Sequence, residues 1–141
     1  MEILLHAHEL VGFGLLDALD RDTGALGHDL RYLGRALELT LPDDLVSRYD
    51  LLLACENIFD LQGKRSDQKQ HLDELQTLAE ALQDNARRAA VRLRLASLAE
   101  VTGDYPAAIA ELEQALALSA DPAAQAAAHQ QWGRVLWQQS S

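Results

Sequence analysis

The run "VTGDYPAAIAELEQALALSADP", Val101 to Pro122, decides how the rest of the chain is read. Ala108, Ile109, Leu112, Ala115 and Leu116 recur at helical spacing and form one apolar stripe, while Glu111, Glu113 and Gln114 fall mostly off it. That pattern predicts an amphipathic helix over 105–119. Upstream, Val91, Leu95, Leu98 and Thr102 mark a second stripe, which predicts a helix over 86–102. Gly103 and Asp104 break the periodicity where the backbone must reverse, so the two helices are expected to form a hairpin.

Does "TGDYPAAI" hold a phosphate? A phosphate cradle needs several glycines, a run of free backbone amides and usually a lysine at a helix N-terminus. This stretch has one glycine, no lysine, the anionic Asp104, and Pro106, which donates no amide. A structural turn fits better: Gly103 supplies a backbone conformation other residues resist, Asp104 caps the next helix, and Pro106 suits its first turn. Tyr105 is expected to pack between neighbouring helices.

The same device recurs. "LDRDTGALGHDLRYLGRALEL", Leu19 to Leu39, has Gly24 at the expected turn, followed by Leu30, Leu33, Ala36 and Leu37 at the offsets of the later stripe. "IFDLQGKRSDQKQHLDELQTLAEAL", Ile58 to Leu82, has Gly63 at the turn and then Leu72, Leu75, Leu78, Ala79 and Leu82. The turn glycines are 39 and 40 residues apart, within the range of two-helix solenoid units. Three helix pairs are predicted, 2–22 with 27–41, 44–62 with 67–83, and 86–102 with 105–119. Pro42 and Pro122, each beside an aspartate, fit the loops between pairs, because the residue before proline is pushed out of the helical region. A last helix, "PAAQAAAHQQWGRVLWQQ", reads as the first helix of a fourth unit, and the chain is expected to be a piece of a longer protein. The organisation is one all-α domain with units of about 1–42, 43–85, 86–122 and 123–141.

Composition agrees with a helical fold. Apolar residues make up 48% of the 141 positions but aromatics only 5%, and Ala and Leu, both strong helix formers, supply most of the apolar content. Lys and Arg number 12 against 22 Asp and Glu, a net charge of −10, which argues against a nucleic-acid partner, since phosphate contacts need a basic surface. No apolar run approaches a membrane span, and the opening "MEILLHAHELVGFGLL" lacks the basic start and small-residue cleavage site of a secretory signal. The single cysteine, Cys55, lies in "LLLACENIF" and is expected to be a buried thiol in a reducing compartment, so a cytoplasmic location is expected.

The third unit resembles the tetratricopeptide repeat. Ala96 and Ala99 match small positions of that family's first helix; Gly103, Asp104 and Tyr105 match its turn, and Ala108, Ile109, Ala115 and Leu116 its second helix. In the fourth unit Trp132, Gly133 and Leu136 look like the aromatic, glycine and large apolar positions of a first helix. The first two units are degenerate, with Gly24 followed by Ala25 and Leu26, and Gly63 by Lys64 and Arg65. The resemblance implies a right-handed α-α superhelix of three helix pairs and a terminal helix, acting as a non-catalytic protein-interaction module. The long repeat and Ala-, Arg- and Leu-rich texture are similar to arrays attached to large bacterial signalling proteins, such as maltose-regulator-type ATPases and multidomain cyclases. A ligand-sensing segment of such a regulator, or a structural spacer that self-associates through Trp132 and Trp137, are the alternatives.

Carrying the family's groove positions onto the units by aligning Gly24, Gly63 and Gly103 selects Arg21, Asn57, Asp60, Ser97 and Glu100, and extending the register adds Gln130, Arg134 and Trp137. Asn57 matches a position where family members use an asparagine amide to bond a peptide backbone. Asp60 and Glu100 put acid where the family's carboxylate clamp is basic, so the resemblance implies a neutral or basic peptide or protein partner.

Catalytic and metal chemistry have little to start from. His6 and His8 are two apart and point to different sides of a helix, and His28, His71 and His129 are isolated, so no pair has the i, i+4 spacing that puts two imidazoles on one face. Carboxylate pairs such as Asp43 with Asp44 and Asp73 with Glu74 fall in loops or on polar faces. No cofactor is expected. "GFG" at Gly12 to Gly14 reads as close packing or local weakening of the first helix, and the cluster Arg87, Arg88, Arg92 and Arg94 as cations paired with Glu74, Glu80 and Asp84.

Overall fold

The computed structural model of the chain describes residues 23–140. The predicted helix over 2–22, the "GFG" stretch, His6, His8 and the groove candidate Arg21 lie outside the described residues. Within them the chain is all-helical, with six helices and no strand. They are α1 (Thr23–Leu39), α2 (Leu45–Gln62), α3 (Arg65–Leu82), α4 (Asn85–Val101), α5 (Tyr105–Leu118) and α6 (Pro122–Gln139). The chain divides between Leu82 and Gln83 into two compact units, one holding α1 to α3 and the other α4 to α6.

Local chemistry sets most helix ends. Four aspartates cap helix starts by accepting otherwise orphaned backbone N–H groups. Asp44 accepts from Ser47 N at 3.2 Å, Asp84 from Ala86 N and Arg87 N at 3.0 and 3.2 Å, Asp104 from Ala107 N at 3.2 Å, and Asp121 from Ala123 N at 3.2 Å. The predicted turn glycines Gly63 and Gly103 both have left-handed backbones, with φ of 72° and 81°. After each, the next amide closes onto a carbonyl of the preceding helix: Lys64 N donates to Phe59 O at 2.9 Å and Asp104 N to Ala99 O at 2.8 Å. Gln83 takes the same left-handed turn, φ 53°, without the freedom of glycine.

Gly24 departs from expectation. Analogy with Gly63 and Gly103 predicts a turn there, but Gly24 lies within the helix α1. The periodicity of Leu30, Leu33, Ala36 and Leu37 places the helix body correctly. Thr102 also differs, lying exposed at the end of α4 with its hydroxyl donating to Leu98 O at 2.9 Å.

In the first unit α2 packs against both α1 and α3. That central position explains its nearly all-round burial, with Tyr49, Leu51, Leu52, Ala54, Cys55, Glu56 and Ile58 all buried. Its contact with α1 is a cluster of Leu26, Leu33, Ala36, Leu51, Ala54, Cys55 and Ile58, flanked by Leu30, Leu37 and Phe59. Burial pushes the Cys55 thiol up to about 12, so it stays protonated and inert at neutral pH, in line with its expected structural role. On α3, Leu72, Leu75 and Ala79 are fully buried, as the stripe predicts.

In the second unit α5 packs against both α4 and α6. Ala96, Ala108, Leu112, Ala128 and Val135 form its centre, with Leu93, Ala99, Tyr105, Ile109, Leu116 and Trp132 packed around them. Small residues at Ala96 and Ala108, both without accessible surface, let α4 and α5 approach closely. Tyr105 packs as expected.

Candidate binding surface

Of the expected groove positions in the second unit, Ser97, Glu100 and Arg134 belong to a side-chain ladder between α4 and α6. Gln131 Nε2 donates to Ser97 Oγ at 3.1 Å, and Ser97 in turn donates to Leu93 O at 3.2 Å. One turn further along, Arg134 grips Glu100 with two parallel bonds, Nε to Oε1 at 2.7 Å and Nη2 to Oε2 at 3.0 Å. The Glu100 side chain is only 10% exposed and that of Arg134 54%. Hydrogen bonding from Arg134 holds the Glu100 carboxyl below its usual range, against the opposing effect of burial, and Gln131 and Gln138 add further hydrogen bonds. Reciprocally, its hydrogen bond to Glu100 raises the Arg134 pKa.

Both rungs join residues 34 apart, on the two helices that flank α5. Residues one helical turn apart on α4 (Ser97, Glu100) therefore meet residues one turn apart on α6 (Gln131, Arg134) in the same order, so α4 and α6 run side by side and parallel. Gln131 is not among the expected groove residues; its neighbour Gln130 is, and Gln130 is exposed without a part in the ladder. The spacing of Ser97 from a polar residue 34 further on was the available signal. Trp137 is 71% exposed, whereas Trp132 is half-buried against the core of the unit, so the two tryptophans have unlike surroundings.

In the first unit, Asn57 and Asp60 are half-buried and one turn apart on α2. The Asn57 amide donates one N–H to Leu53 O at 2.8 Å within its own helix, leaving its second N–H and its oxygen for recognition. Asp60 accepts from Arg65 Nη1 at 2.7 Å. The two acids expected to give the groove a negative character, Asp60 and Glu100, are thus each matched by an arginine of this chain.

Sequence reasoning missed a buried polar chain in this unit. Glu56 has no accessible surface, although it is an acid inside an apolar helix, and Gln68 of α3 donates to its Oε2 at 3.1 Å. Gln68 accepts in turn from Arg65 at 2.8 Å, which joins Glu56, Gln68, Arg65 and Asp60 across the α2–α3 contact. A charge in the middle of "LLLACENIF" was the signal. Of the expected partners of the basic cluster, Asp84 pairs with Arg87, whereas Arg92 turns instead to Glu111 of α5 at 3.0 Å.

Among the described residues no group of three or more His, Cys, Asp or Glu is arranged to hold a metal ion, and no helix is long and apolar enough to cross a membrane. His71 stacks edge-on against Phe59 with ring centroids 4.9 Å apart. In comparison with known proteins, no family model, no curated protein and no solved structure matches the chain.

Proposed function

We propose that the chain is a non-catalytic protein-interaction module, a tetratricopeptide-like right-handed solenoid that serves as part of a larger bacterial signalling or regulatory protein in the cytoplasm. The observation that carries this reading is the parallel ladder of Ser97 with Gln131 and Glu100 with Arg134. It joins α4, the first helix of its pair, to α6, the helix that follows that pair, across α5, the arrangement that a stacked array repeats to build a concave surface. The left-handed glycine turns at Gly63 and Gly103, the aspartate caps and the Ala96–Ala108 contact support the same reading.

The partner is a neutral or basic peptide or protein segment. Asp60 and Glu100 are locally matched by arginines, so basic character in the partner is favoured by the overall charge of −10, which acts on encounter, more than by those two residues. Each unit offers its own groups for recognition: Asn57 in the first, and Ser97, Arg134 and the exposed aromatic face of Trp137 in the second.

Fluorescence anisotropy against a panel of basic, neutral and acidic peptides tests this. Saturable binding of basic or neutral peptides, weakened by Asn57→Ala or Arg134→Ala with helicity unchanged, is the expected outcome. Binding by no member of the panel, or binding indifferent to both substitutions, would count against the reading.

A further inference from the structure

A cleft of about 220 Å³ lies between α2 and α3, lined by Arg48, Leu52, Glu74, Thr77 and Leu78. It belongs to the first unit alone, and the helix-pair reading does not depend on it. Its size excludes a large cofactor, since pockets for drug-sized ligands hold roughly 300–1,000 Å³, but suits a small metabolite.

Two charges of opposite sign line this cleft. Elsewhere the arginines at 65, 87, 92 and 134 each meet a carboxylate of this chain. Arg48, half-buried, and Glu74, exposed, face the same cleft, yet neither side chain pairs with the other or with another described residue. The α2–α3 hairpin turns at Gly63, so its register sets Arg48 level with Leu78, and Leu52 level with Glu74. A guanidinium and a carboxylate are thereby rooted about one helical turn apart, roughly 6 Å along the groove. Leu52, buried, and Leu78, half-buried, supply an apolar floor. Thr77 commits its hydroxyl proton to Asp73 O at 3.2 Å, which leaves its oxygen as an acceptor beside Glu74.

We propose that this cleft binds a small zwitterion, a free α-amino acid with an apolar side chain. Its carboxylate meets the fork of Arg48, its ammonium meets Glu74 with the Thr77 oxygen alongside, and its side chain lies on Leu52 and Leu78. One charge of each sign on the protein matches one of each sign on the ligand, so a ligand lacking either leaves a protein charge unmatched.

Amide-detected NMR titration of the whole chain with L-leucine tests the proposal, with 4-methylpentanoate, which lacks the amine, and isoamylamine, which lacks the carboxylate, as comparators. Leucine is expected to give saturable shifts confined to α2 and α3 around Leu52 and Leu78, with both comparators at least about tenfold weaker. Arg48→Gln and Glu74→Gln are each expected to weaken leucine binding by a similar factor. Glu74 is exposed, so its variant keeps the fold and the test stands even where Arg48→Gln perturbs α2. Absence of saturable shifts, equal response to either comparator, or full leucine binding by the Glu74→Gln variant would overturn the proposal. So would a double-mutant cycle on melting temperature showing that Arg48 and Glu74 stabilise the unliganded chain through each other.

Discussion

Glu100 and Arg134 form a half-exposed pair with good bidentate geometry, and such pairs contribute modestly, about 0.5–1 kcal/mol at neutral pH. Because the folded carboxyl titrates below its ordinary value of 4.5, the contribution is complete above that value and is lost as pH falls through the lower, folded value. A double-mutant cycle with Glu100→Gln and Arg134→Gln, read by urea denaturation, is therefore expected to show coupling at pH 7 and almost none once the medium is acid enough to protonate the folded carboxyl. Glu56 behaves differently, because it is fully enclosed and donor-matched by Gln68. Glu56→Ala removes buried volume and strands the Gln68 amide, at an expected cost of about 2–4 kcal/mol in the same assay. The first acid is singled out in the sequence by its place relative to Gly103; the second reads only as part of an apolar helix, because burial of an acidic side chain depends on what faces it.

Among the helices and their connections, turns and caps carry the predictions. Gly103 has φ of 81°, where a β-carbon is strained whatever the space around it, so Gly103→Ala is expected to destabilise by about 1 kcal/mol. Gly133 lies in the body of α6 with nothing within 4 Å of the place an added methyl would occupy, and Gly133→Ala is expected to stabilise by up to about 1 kcal/mol. Thermal melts of the two variants should move in opposite directions. Helices α2 to α6 begin and end close to where periodicity, aspartates and glycines predict. Those signals are local: a cap satisfies amides two or three residues away, and a left-handed glycine closes bonds to the helix just before it. Gly24 misleads because a glycine without an aspartate after it is an ambiguous mark, and α1 runs through it.

Across the molecule, two tryptophans that look equivalent in sequence are distinguished by packing. Trp132 lies against the centre of the second unit, and Trp132→Ala is expected to cost about 2–3 kcal/mol. Trp137 is largely exposed, and Trp137→Ala should change stability by no more than about 0.5 kcal/mol. Denaturation curves test the contrast, and acrylamide quenching of each single-tryptophan variant provides a second reading. Self-association through both residues together would have to displace Trp132 from its packing, so Trp137 is the one to vary when the oligomeric state is measured.

The all-helical class, the hairpin turns at Gly63 and Gly103 and the apolar faces of the helices were all readable along the chain. Each follows from interactions within a few residues or from a period of 3.6, which composition and spacing record directly. Packing was needed to show that Gln131, and not Gln130, meets Ser97, that Arg134 closes on Glu100, and that Glu56 is enclosed beside Gln68. Packing likewise places Arg48 and Glu74 on one cleft without pairing them. These outcomes depend on the relative rotation and rise of separate helices, where a single-residue change of register turns a side chain by about 100° and exchanges its partner.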